Sequence, residues 1–240
     1  MSKKLIFSLV IFFPLISYSQ DSKSPHSNLS NELFEKGVSM VVKGDLKNAI
    51  KTFKDIIDLD PKYAEAHRQL GIVYTELKDI EKAINSFNDL IKLKPKEEDA
   101  YWLLADAYET VGFTTEATKV YRKIIGLGSV NPTVYYKMGL VELENTSYNK
   151  AIPLFKKSIQ YDSTYLDAYM KLGLSYLYMN EAKYHDPAIK VFNKIIGIDS
   201  LNADAYNYLS IIYDTQRKDQ LATYYFEKAR KINPNLGKRR

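Results

Sequence analysis

Alanine recurs at a fixed step of 34 residues. Ala49, Ala83, Ala117 and Ala151 keep it, and Phe53, Phe87, Tyr121 and Phe155 follow four places on. A period of this length excludes most folds with a single closed core. Each unit is too small to bury its apolar side alone and must stack on copies of itself. The register slips by three after Phe155 and resumes with Ala188 and Phe192, then Ala222 and Phe226. Blocks of 34 residues therefore run 30–63, 64–97, 98–131 and 132–165. A 37-residue block spans 166–202, and a last block of 34 spans 203–236.

Inside each block, positions 4, 7, 8 and 11 fall on one face at helical period. Position 8 is small throughout: Gly37, Gly71, Ala105, Gly139, Gly173 and Ser210. Position 20 is alanine in all six blocks, and position 24 is aromatic. Small residues on two facing helices let them approach closely, and the ring at position 24 fills the space that remains. The pattern predicts two packed helices per block and an all-α chain.

The second block, with His67, Leu70, Gly71, Tyr74, Ala83, Phe87, Leu90 and Pro95, resembles the tetratricopeptide repeat, whose 34-residue unit is a helix–turn–helix. The other five blocks carry the same resemblance in register. It implies a right-handed α-solenoid of six units, a non-catalytic role and a protein or peptide partner. It also implies that the first helices line an inner groove, chiefly through positions 2, 5, 9, 12 and 13. Position 5 then contributes Phe34, Arg68, Trp102, Tyr136 and Met170, position 9 contributes Val38, Ile72, Asp106, Leu140 and Leu174, and position 12 contributes Glu109. Chaperone-binding members grip a C-terminal carboxylate with Lys at position 5 and Asn at position 9. Position 9 here holds no Asn, so that mode is not expected.

Trp102 is the only tryptophan, and Asp106 and Glu109 follow it at helical spacing. An indole beside carboxylates suits a Lys- or Arg-bearing ligand that also presents an apolar side chain. The competing expectation is that the apolar groove residues pack against neighbouring first helices, with Tyr136 covering Trp102. Glu142 interrupts position 11, where four units have tyrosine, and is expected to reach solvent or accept a hydrogen bond. The 20 tyrosines are explained by the repeat. Eight stand at positions 4 and 11 and Tyr121 at position 24, and these are expected in the core or at its margin. Asp186 and Pro187 follow the three extra residues of the fifth block and predict the start of its second helix at Asp186.

Outside the repeats, residues 1–19 read as a secretory signal peptide: Lys3 and Lys4, an apolar stretch from Leu5 to Ile16, and Ser17 and Ser19 before Gln20. The expected location is therefore periplasmic or extracellular, with no membrane span after cleavage. Residues 20–29 are polar and read as a linker, and 237–240 as a basic tail. Polar substitutions at Lys36 and Arg230 predict that the array stops at both ends.

The chain has no cysteine and three histidines, and none of the sequence motifs of nucleotide, hydrolase or zinc-protease sites. No catalytic, cofactor or metal residue is expected. The net charge is +5 with both signs interspersed along the chain, so nucleic acid is not expected either. The leading reading is an exported scaffold that holds a peptide or helix of another envelope or secreted protein. The alternative is a structural subunit that associates with itself or with a larger assembly through its ends or convex face.

Overall fold

The computed structural model describes residues 25–236, with side chains from Asn28 onward. The expected signal peptide and basic tail lie outside the described residues. Among those residues there are twelve α-helices and no strand. They fall into two compact units divided between Leu127 and Gly128.

The first unit holds three hairpins: α1 (Pro25–Val42) with α2 (Leu46–Leu59), α3 (Ala64–Glu76) with α4 (Ile80–Leu93), and α5 (Glu98–Thr110) with α6 (Thr114–Gly126). The second unit holds α7 (Pro132–Glu144) with α8 (Tyr148–Tyr161), α9 (Leu166–Tyr178) with α10 (His185–Ile198), and α11 (Ala203–Thr215) with α12 (Asp219–Ile232). In each unit every helix packs on the next in sequence. First helices also touch first helices, α1 with α3, α3 with α5, and α7 with α9, so they share a layer.

Two sequence expectations need correction. Residues 25–29, read as linker from their polar composition, form the opening turns of α1. Proline fits a first helical turn because it supplies no N–H to a position that has no partner for one. The second helix of the fifth hairpin begins at His185, not Asp186, and Asp186 carries its charge into the first turn. The extra residues appear as a 3-10 turn, Ala182–Tyr184, whose Tyr184 ring stacks on Tyr176 at 6.0 Å.

The alanine at position 20 is fully buried or nearly so in all six hairpins. The glycine at position 8 lies against the ring at position 24. A Cβ on Gly37, Gly139 or Gly173 would stand 2.6, 2.5 or 2.7 Å from Phe53, Phe155 or Phe192. Glycine is therefore required there by contact rather than by backbone conformation. At position 4, Tyr101 and Tyr135 donate their hydroxyls to the carbonyls of Pro95 and Ser129, which end the preceding blocks. A tyrosine thus ties each of these hairpins to the turn before it, with the ring of Tyr135 buried and that of Tyr101 half-buried.

Backbone conformation is special at position 15. Gly44, Lys78, Gly112, Thr146, Asn180 and Arg217 all have φ between 50° and 79°. Each N–H here donates to the carbonyl three residues back. In every hairpin but the fifth, the following N–H reaches the carbonyl of position 11, as Asp45 does to Met40 and Ser147 to Glu142. This is the Schellman closure, which satisfies carbonyls left over at the end of a helix. Only two of the six residues are glycine. Thr146, with a β-branched side chain at φ 54°, is the worst fitted. Thr146→Gly should stabilise the chain by about 1 kcal/mol, because relief of left-handed strain exceeds the entropy cost of glycine. A rise in the urea midpoint would show it. An unchanged or lower midpoint would mean that the turn tolerates threonine without strain.

Candidate functional site

The residues expected along the groove are not alike in exposure. Phe34, Val38, Ile72, Trp102, Glu109, Tyr136, Leu140, Met170 and Leu174 are half-buried, and Asp106 is exposed. Arg68 is the exception. Its side chain is inside the first unit, only 3% of the residue is exposed, and it pairs with Glu65 at 3.0 Å and Glu97 at 2.5 Å. A buried guanidinium needs such partners, since removing them would leave a charge in a poorly solvating interior. Arg68 therefore ties α3 to the turn that precedes α5 and is not a groove cation.

The aromatic residues at position 5 lie on the position-24 rings of their own hairpins. Phe34 meets Phe53 with centroids 5.9 Å apart, Trp102 meets Tyr121 edge-on at 5.5 Å, and Tyr136 meets Phe155 at 6.0 Å. Phe34 and Tyr136 are also flanked by the tyrosines that end their blocks, Tyr63 at 5.6 Å and Tyr165 at 5.1 Å. One side of each ring is thus spent on the core, which accounts for the half-burial. The repeat pattern fixes positions 5 and 24 but does not specify this pairing across the hairpin.

Around Trp102 the polar groups are ordered. The indole N–H donates to Glu98 Oε1 at 3.0 Å. Tyr121 donates its hydroxyl to Glu109, and with burial as the first cause and that bond as the second, its phenol is pushed well above the usual range. Asp106 adds negative charge nearby. Glu98 and Tyr121 were not singled out by sequence reasoning. Glu98 opens α5 four residues before Trp102, a spacing that puts the two side chains on one face. Trp102 is thereby held from two sides and presents what remains of its surface next to three carboxylates. Tyr136 belongs to the second unit. Its phenol is also raised, by burial first and then by Asp167. Glu142 is half-buried, as expected for a carboxylate at a core margin.

Burial raises Tyr165, Tyr169, Tyr208 and Tyr225 as well. The unfolded chain releases these protons near pH 10 while the folded chain keeps them, so stability is intact below pH 10 and falls above it. Titration to alkaline pH should show tyrosinate absorbance rising together with loss of helical circular dichroism. Tyrosinate appearing fully before any loss of helix would contradict the burial of these phenols.

No group of three or more His, Asp or Glu able to hold a metal ion occurs among the described residues. No helix among them is long and apolar enough to cross a membrane.

Residues 43–108 match the tetratricopeptide repeat family model. A crystal structure of MamA is 26% identical, with a TM-score of 0.61 over 69% of this chain and 95% of that one. Within residues 43–108 the chain carries the tetratricopeptide repeat pattern. YrrB, described as a TPR protein with an unusual peptide-binding site, is 19% identical with a TM-score of 0.64 over 76% of this chain and 93% of that one. MamA from Desulfovibrio magneticus RS-1 is 18% identical, with a TM-score of 0.58 over 75% and 99% of the two chains. Among curated proteins no sequence matches significantly. These likenesses bear on the fold, an all-α stack of helical hairpins.

Proposed function

We propose that the protein is an exported, non-catalytic scaffold that holds an extended peptide or an amphipathic helix of another envelope or secreted protein against its first helices. The observation that carries the reading is Trp102. It is half-exposed, fixed by Glu98 and Tyr121, and set beside Asp106 and Glu109. An aromatic anchor that is already immobile loses little entropy on binding. The nearby carboxylates favour a partner segment with a lysine or arginine next to an apolar side chain. Phe34, Val38 and Ile72, half-buried on α1 and α3, offer the apolar surface along which the segment would continue.

Export is read from the sequence of residues 1–19, and intact mass of the protein recovered from the envelope tests it. A chain that keeps Lys3 would refute export while leaving the groove reading standing. For the groove, crosslinking in intact cells should trap a partner with the natural chain. Trp102→Ala should weaken that association by at least about 2 kcal/mol, the scale of a hot-spot aromatic. Asp106→Lys should weaken it too. Emission from the single tryptophan should shift when the partner is added. An unshifted emission with full binding in both variants would remove the first helices of the first unit from the interface.

A further inference from the structure

The second helices of the second unit present a stripe that differs from every other outer face. Each second helix turns positions 20, 24 and 27 inward, so positions 19, 22, 26 and 29 point the opposite way. On α8 these are Lys150, Pro153, Lys157 and Gln160, on α10 Pro187, Lys190, Lys194 and Gly197, and on α12 Leu221, Tyr224, Lys228 and Lys231. The stripe has six lysines and no acidic residue. Asp186 and Glu227 stand beside it, on adjoining rows. Apart from half-buried Lys157 and Pro187, its residues are exposed.

The first unit shows the contrast. The same four positions there mix lysine with Asp55, Asp58, Asp89 and Glu116. Three of its five lysines at these positions are neutralised locally: Lys82 pairs with Asp79, Lys92 with Asp89 at 2.8 Å, and Lys119 lies 4.0 Å from Glu116. Among the described residues none of the six lysines of the second unit's stripe has such a pair. Apolar side chains mark the stripe as well. At position 22 the earlier hairpins have Lys51, Asn85, Lys119, Pro153 and Lys190, but the last has Tyr224, 52% exposed with Lys228 Nζ 5.5 Å from its ring centroid. Leu221, one turn away, is 42% exposed. The opposite layer carries the other sign. Helices α7, α9 and α11 hold Glu142, Glu144, Asp167, Asp204 and Asp214 against Lys137 and Lys171.

We propose that this stripe docks the second unit on an anionic lipid surface. The charges are lysines spread across three helices. Point charges on flexible stems suit a diffuse negative surface, whereas reading of nucleic-acid bases and phosphates favours arginine forks in a groove. Tyr224 and Leu221 supply the amphipathic and apolar contacts that favour a bilayer interface and have no role on a phosphate backbone. Each lysine near such a surface adds attraction, and six with no carboxylate partner among the described residues suffice for reversible attachment that salt weakens.

The test uses the full chain and sedimentation with vesicles of phosphatidylcholine, either alone or mixed with phosphatidylglycerol. Binding is expected only with the anionic lipid and is lost as salt rises. Lys190→Glu with Lys194→Glu should weaken it at least about tenfold. Lys82→Glu with Lys92→Glu, in the first unit, should change it little. Tyr224→Ser should lower it a few-fold while keeping the salt dependence. Helical circular dichroism of each variant shows that it is folded. The proposal is overturned by absence of binding to anionic vesicles at low salt, or by equal loss in the two charge-reversed pairs. A DNA duplex that binds while vesicles do not also overturns it, and places nucleic acid on the stripe instead.

Discussion

Replacing Phe155 by alanine is expected to cost about 3–5 kcal/mol, the range for removing a large side chain from a closed core. Phe155 is fully buried. It meets Tyr136 on one side, and Gly139 approaches its edge so closely that no Cβ fits between them. It also belongs to the cluster that joins Ala151, Tyr169, Leu172 and Phe192 across two hairpins. The void left behind would be lined by both helices of one hairpin and by the first helix of the next, so little can collapse into it. A fall of the urea midpoint, followed by helical circular dichroism, measures the loss. A cost under about 1 kcal/mol would mean that the ring is not at the centre of the unit.

Gly139→Ala is expected to cost about 1–3 kcal/mol by overpacking. The added methyl would stand 2.5 Å from Phe155 Cε1, and the ring has nowhere to retreat. The backbone of Gly139 lies in the middle of α7, so alanine would otherwise favour the helix. Only the contact predicts a loss. Combining Gly139→Ala with Phe155→Leu should recover part of the damage, because a smaller side chain makes room for the methyl. The coupling between the two sites in a double-mutant cycle is the quantity to measure. Additive effects would show that the methyl and the ring do not meet.

The helical hairpins were legible because the residues that define them are close in sequence and recur. Position 8, position 20 and position 24 fix how two helices meet, and six copies average out local exceptions. The predicted block starts at Ala64, Glu98, Pro132, Leu166 and Ala203 coincide with the first residues of helices. Polar composition misled at 25–29, since a helix that needs only one buried stripe can open on Ser and Asn. Arg68 was misplaced because its partner Glu97 lies 29 residues away and on another element. The left-handed position 15 was hidden because Lys78, Thr146 and Arg217 occupy a site that glycine would advertise. For Trp102, its helix face was visible from the spacing. Its support on Tyr121 and Glu98 depended on how far α5 and α6 are rotated about their axes, which a hydrophobic pattern specifies only to within a fraction of a turn.

Charges of both signs alternate along the chain and looked featureless there. Folding sorts them, because every block contributes one helix to each layer. In the second unit, the acidic first helices and the lysine-bearing second helices form two sheets of opposite charge one helix diameter apart. Such a unit has an electric dipole directed across its layers, whatever its net charge. Within about one Debye length of any charged body, roughly 10 Å at 0.1 M salt, the dipole feels a torque before there is contact. Random collisions are converted into encounters of one orientation. The repeat thereby acts as a compass needle as well as a spacer, with a polarity set by which helix of each hairpin bears the lysines.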